Sequence, residues 1–127
     1  MKELEKKIWK HLKARKWDNL RPSDLAKSIM IEGAELLEIF QWENPELEKV
    51  KKDKEKVVRI KKELADVLIY AIELSVSLGL DTEKIIRAKL AAAAKKYPAK
   101  LMRKHNGEPG TESIYWKIKE NHRKKEK

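Results

Sequence analysis

Apolar residues recur along this chain at helical spacing, and strand-like alternation is scarce. Leu4, Ile8 and Leu12 fall every four residues through the charged stretch KELEKKIWKHLKARK (2–16), which predicts a first helix with one apolar side. WDNLRPSD (17–24) interrupts the pattern; Pro22 suits a first helical turn, and Ser23 or Asp24 can cap it. The next helix is expected to run to about Trp42. At about 100° per residue, its Leu25, Ile29, Leu36 and Phe40 share a narrow stripe. ENPE breaks it at Asn44–Pro45, and a charged run, LEKVKKDKEKVVRIKK, leads into ELADVLIYAIELSVSLG (63–79), with Gly79 as the terminating glycine. LDTEK opens another helix at Asp81 or Thr82 that reaches Pro98. The remainder holds the turn NGEPG and a basic tail. The pattern predicts an all-α fold, a four- to five-helix bundle, with one helical domain over 1–110 and a basic extension over 111–127.

Two places break the apolar logic. Glu32 lands between Leu25 and Ile39 on the flank of the apolar stripe, and Glu35 lies just beyond Ile39. From Leu64 to Ile72 the only polar side chain apart from the Tyr70 hydroxyl is Asp66, with Glu63 one turn before it. A helix apolar nearly all round is buried, so Asp66 is expected inside. Both pairs are spaced i, i+3, which projects two side chains from one helix side. If the two helices pack together, four carboxylates converge, and they cannot all stay ionised without a counter-charge. No basic residue occurs from Glu63 through Ser77; Lys61, Lys62 and Lys27 are the nearest. A hard divalent cation such as Mg²⁺, which takes oxygen ligands and keeps waters or phosphate oxygens in its shell, fits better. One such pair alone reads as exposed residues in helix salt bridges. Both together, embedded in apolar helices, point to a metal site.

Composition narrows the classes. With 127 residues the chain is long enough for one real core and short for two. It has no cysteine, so no disulfide framework, thiolate metal site or thiol nucleophile is available. Only 4 Gly and 4 Pro accompany abundant Lys, Glu, Leu and Ala, which favours helices. There is no apolar N-terminal signal region and no apolar run near the length of a membrane span, so a cytoplasmic protein without a membrane partner is expected. The net charge of +10 suits a polyanionic partner or a lysine-rich solvated surface, and alone does not choose between them.

IEGAELLEIFQW (31–42) followed by ELADVLIYAIELSVSLGLD resembles the MazG-like, all-α nucleoside triphosphate pyrophosphohydrolases, especially the short dCTP-pyrophosphatase-like branch. The resemblance runs from about Trp17 to Leu101, and KKYP near its end sits at a fitting spacing. It implies a Glu-x-x-Glu pair and a Glu-x-x-Asp pair as magnesium ligands, here Glu32, Glu35, Glu63 and Asp66. It also implies cleavage between the α and β phosphates of a nucleoside triphosphate, a house-cleaning reaction on surplus or non-standard nucleotides. Glu35 and Glu38 are the candidates for the catalytic base. Trp17, Trp42 and Tyr70 match positions that line the nucleoside pocket, Arg21 stands in a stretch that bears on base selection, and Lys89 and Lys96 match basic positions that hold phosphates. Trp9 and Trp116 have no such match and are expected to pack. The chain departs from the family pattern at Ala93, where Asn is usual, at Gly33–Ala34, which reverses the usual order, and at Arg21–Pro22, which replaces a His-containing stretch. The resemblance further implies a homo-oligomer, a tetramer before a dimer. Two alternatives stand beside it: a basic helical nucleic-acid-binding module, and a catalytically weak nucleotide sensor. A nucleic-acid partner is not expected, because buried carboxylates without metal would repel a phosphate backbone.

Overall fold

The computed structural model describes residues 1–104 and 111–126. Among them the chain forms only helices: α1 (Lys2–Ala14), α2 (Pro22–Glu38), α3 (Leu47–Lys52), α4 (Lys54–Ser77), α5 (Thr82–Lys96), α6 (Ala99–Lys104) and α7 (Thr111–Glu126). The all-α expectation holds, with more and shorter helices than the pattern suggested. Asp53, with extended backbone, divides the charged run into α3 and α4, and its carboxylate accepts a 3.1 Å bond from the Lys56 N–H as the α4 cap. Pro98 likewise separates α5 from α6. The expected NGEPG turn lies outside the described residues. No helix among the described residues is long and apolar enough to cross a membrane.

Helix ends are set by local chemistry. Pro22 occupies the first turn of α2 and fixes Arg21, in extended conformation, as the cap residue. Ser23 and Asp24 therefore sit inside the helix and do not cap it. Gly79, at φ +70, closes α4: its N–H reaches Val76 O (3.0 Å) and Leu80 N–H reaches Ser75 O (2.9 Å), the paired bonds of a Schellman end. The same motif closes α1 without glycine. Lys16 takes the left-handed conformation (φ 58), its N–H bonds Lys13 O at 3.1 Å, and Trp17 N–H bonds Leu12 O at 2.9 Å. The second helix stops at Glu38, short of Trp42, because residues 40, 41 and 43 bond back three residues in successive turns.

The chain divides into two compact units, Met1–Thr82 and Glu83–Lys127. In the first, the most extensive packing joins α2 to α4, and α1 and α3 also lie against α4. Ile8, Leu12 and Ile72 form its core cluster, with Trp9 and Val76 packed beside it, as expected for Trp9; Leu25 and Ile39 are buried as well. The Lys56 ammonium pairs with Glu43 and lies 5.8 Å from the Phe40 ring centroid, tying the turns after α2 to the start of α4. That ion pair holds the Glu43 carboxyl below the usual carboxylate range. The apolar stretch of α4 is not wholly buried within the chain: Leu64, Leu68 (52% exposed) and Ile69 reach solvent, as do Met30, Ile31 and Leu37 of α2.

In the second unit, the Tyr97 and Tyr115 rings stack 5.0 Å apart at 17°, and Trp116 meets Tyr115 edge-on at 5.5 Å. Burial pushes the Tyr97 phenol up, with Tyr115 adding to the effect. Trp116 is 53% exposed, so it is not the packing residue its sequence context suggested.

Candidate functional site

The antiparallel contact of α2 with α4 brings the two carboxylate pairs together. One oxygen each of Glu32, Glu63 and Asp66 lies within 4.8 Å of the others. Three carboxylate oxygens this close together could share one hard divalent ion. Glu32 Oε2 and Glu63 Oε2 are buried with no hydrogen-bond partner. Unsatisfied buried carboxylate oxygens are costly, and a cation is the group that would satisfy both. Carboxylate oxygens are hard donors that suit Mg²⁺ and other hard divalent ions alike.

Glu35 lies at the solvent edge beside Glu32 and Glu63. Its carboxyl is held above the usual range first by the bond with Glu32, then by the charges of Glu32 and Glu38, while the bond with Glu63 acts in the opposite sense. Burial pushes the Glu63 carboxyl up, and Glu35 and Asp66 add to the shift against a small pull from Lys62. Close like charges thus retain protons that a divalent ion would replace.

The other residues singled out from the sequence are distributed as follows. Glu38 is exposed, one turn beyond Glu35, and its charge is felt there. Tyr70 is half-buried on α4, one turn after Asp66. Trp17 sits just past the α1 terminus, half-exposed, with its ring edge-on to His11 at 6.2 Å. Arg21 is the exposed α2 cap residue, and Trp42, in the turns after α2, is 88% exposed. Lys89 and Lys96 belong to the second unit; Lys89 is exposed, and the Lys96 ammonium stands 5.5 Å from the Tyr97 ring centroid. Ala93 is half-buried on α5, and its carbonyl accepts the Tyr97 N–H at 2.8 Å.

Sequence reasoning missed Glu73. It is 6% exposed and lines a cavity of about 240 Å³ with Lys7, Ile8, His11 and Ile69. Burial raises its carboxyl above the usual range. The available signal was a carboxylate between Ile72 and Leu74, the same kind of break that drew attention to Asp66.

Comparison with known proteins agrees with this geometry. Over 92 residues the chain is 29% identical to dCTP pyrophosphatase 1 of Rattus norvegicus, covering 70% of this chain and 54% of that protein. The chain thus spans about half the length of that curated relative. A solved structure of a pyrophosphatase from Archaeoglobus fulgidus superposes with a TM-score of 0.68 at 34% identity, over 77% of this chain and 92% of the other. The MazG-like family model matches residues 27–108, which contain all four clustered carboxylates. The chain belongs to the MazG-like family.

Proposed function

We propose that this protein is a Mg²⁺-dependent nucleoside triphosphate pyrophosphohydrolase, releasing a nucleoside monophosphate and pyrophosphate. The observation that carries the reading is the convergence of Glu32, Glu63 and Asp66, two of them with buried oxygens lacking any partner. The named relatives, a dCTP pyrophosphatase and a pyrophosphatase, support it, and dCTP and its non-standard analogues are the first substrates to test.

Glu32, Glu63 and Asp66 would hold the ion, with Glu35 completing the set from the edge. When bound, Mg²⁺ neutralises triphosphate charge and lowers the pKa of a coordinated water. Glu35 is the better base: it borders the cluster and is open to solvent, so an oxygen not held by the ion could accept a proton. Glu38 would then tune Glu35 through its charge. Trp17, Trp42 and Tyr70 would supply flat faces for the base, with Arg21 beside them in choosing it. Lys89 and Lys96 would meet the phosphates, and Ala93 leaves that region without the amide of the family pattern.

Apolar surface left open on α2 and α4 supports assembly. Met30, Gly33, Ala34 and Leu37 line a shallow apolar groove on α2, and Leu37 is 68% exposed. Patches of that kind are covered by partners in stable proteins. A homotetramer is the expected state, with a dimer next, and a monomer by light scattering at micromolar concentration contradicts it. The hydrolytic domain is taken to end near residue 110, since the family match stops at 108, which leaves 111–127 as an extension. The cytoplasm is the expected location.

Incubation with a panel of canonical and modified nucleoside triphosphates and Mg²⁺, with phosphate and pyrophosphate separated, tests the reading. Pyrophosphate as the first inorganic product supports it. Orthophosphate alone rejects it.

A further inference from the structure

The positive charge is not spread over the chain. Residues 83–127 hold fourteen Lys and Arg against five acidic residues, which places +9 of the net +10 in the second unit and leaves the first near neutrality. The same unit carries the aromatic group of Tyr97, Tyr115 and Trp116. On α7 the Lys119 ammonium lies 4.8 Å from the Trp116 ring centroid and 5.7 Å from that of Tyr115, while both rings remain partly open to solvent. Lys117, Arg123, Lys124 and Lys125 continue the basic character along the helix.

We propose that α7 is a binding surface for single-stranded nucleic acid, with Trp116 and Tyr115 as stacking platforms and the lysines around them as phosphate contacts. Exposed rings interleaved with cations are what an unpaired strand recognises: the bases stack on any flat face, and the backbone follows positive charge. A duplex hides its base faces and gains nothing from the rings. A membrane surface fits less well, because apolar side chains end at Ile118 and residues 121–126 (NHRKKE) are all polar, so α7 has no apolar side along its length. The objection that carboxylates would repel a phosphate backbone applies to Glu32, Glu35, Glu63 and Asp66, all in the first unit. Helix α7 also lies beyond residue 108 in the sequence, where the MazG-like match ends.

The test is fluorescence anisotropy of the full chain, in EDTA, with a labelled fifteen-residue oligothymidylate. Expected are saturable binding, a five- to hundred-fold loss in Trp116→Ala, and near-normal binding in Trp116→Phe. Lys119→Ala should flatten the slope of log affinity against log salt by about 0.7, the value for one single-strand phosphate. It serves as the deciding variant if Trp116→Ala loses helicity by circular dichroism. Nucleotide hydrolysis by Trp116→Ala should equal that of the parent. Absence of binding overturns the proposal. So does binding in which Trp116→Ala is folded and unaffected, or in which an equal-length duplex, heparin or anionic vesicles bind as tightly as the single strand.

Discussion

Replacing Glu32 by Gln keeps the shape of the side chain and removes one charge from the cluster. Glu32 contributes one of the three oxygens within 4.8 Å, and its Oε2 is buried without a partner. Losing a first ligand should weaken the ion at least as much as losing an outer supporting group, about 10–100-fold. A bound ion stabilises the fold by RT ln(1 + [L]/Kd), about 2.7 kcal/mol at 100 times Kd. At that same Mg²⁺ concentration, a site weakened 10–100-fold keeps about 1.4 to 0.4 kcal/mol. The variant should therefore forgo roughly 1.3–2.3 kcal/mol of metal-induced stability. For a chain of this size that is on the order of 4–10 °C in Tm. Differential scanning calorimetry with and without Mg²⁺ reads it directly. Without metal, Glu32→Gln should melt no lower than the parent, since one of several crowded charges is gone. If parent and variant gain equally from Mg²⁺, or if the metal-free variant melts much lower, Glu32 is a structural residue and the metal-site assignment is wrong.

Four further outcomes are expected. The folded-state pKa of Glu73 is raised, so the stability it contributes is full below the ordinary carboxylate pKa and is lost as pH rises through the folded value; Glu73→Gln should flatten that decline in a pH series of denaturant melts. Unchanged pH dependence means that Glu73 is not the buried titrating group. Lys16 occupies the left-handed region at φ 58, which costs about 1–2 kcal/mol for an L-residue; after the entropy of glycine is charged against it, Lys16→Gly should stabilise by about 0.5–1 kcal/mol in urea melts. Trp17→Ala and Trp42→Ala should each raise KM about five- to a hundred-fold with little change in Mg²⁺ binding by calorimetry, and normal KM values remove these residues from the base site. Removing residues 121–127 should leave nucleotide hydrolysis nearly unchanged, because they lie beyond the family match; loss of activity would place the tail in the site.

The helical class was legible because Leu4, Ile8 and Leu12, or Leu25, Ile29 and Leu36, repeat on one helix side, while Leu25 and Leu36, eleven residues apart, would fall on opposite faces of a strand. The carboxylate cluster was legible for the opposite reason. Glu32 and Asp66 break an apolar context that would otherwise be unremarked, and i, i+3 spacing determines which helix side they share. Helix ends were harder. The stop at Glu38 depends on i, i+3 turns pinned by the Lys56–Glu43 pair, a contact across thirteen residues that no local pattern encodes. The left-handed Lys16 carried no glycine to announce it. Apolar periodicity says which residues of α4 seek cover and not which chain provides it; Leu64, Leu68 and Ile69 remain exposed in the single chain. Glu73 was missed since a lone carboxylate without an i, i+3 companion has no motif around it, and its cavity needs Lys7 and His11 of α1. Nor did total charge reveal that nearly all of it resides past residue 82.

Hydrolysis of dCTP in ¹⁸O-labelled water with Mg²⁺, by the parent and by Asp66→Asn, tests the central claim most directly. Water activated at the carboxylate cluster and directed at the α phosphate predicts one ¹⁸O atom in the monophosphate, unlabelled pyrophosphate, and near-complete loss of both products in Asp66→Asn. Label in orthophosphate, or parent-level turnover by Asp66→Asn, would contradict a hydrolytic centre built on Glu32, Glu35, Glu63 and Asp66.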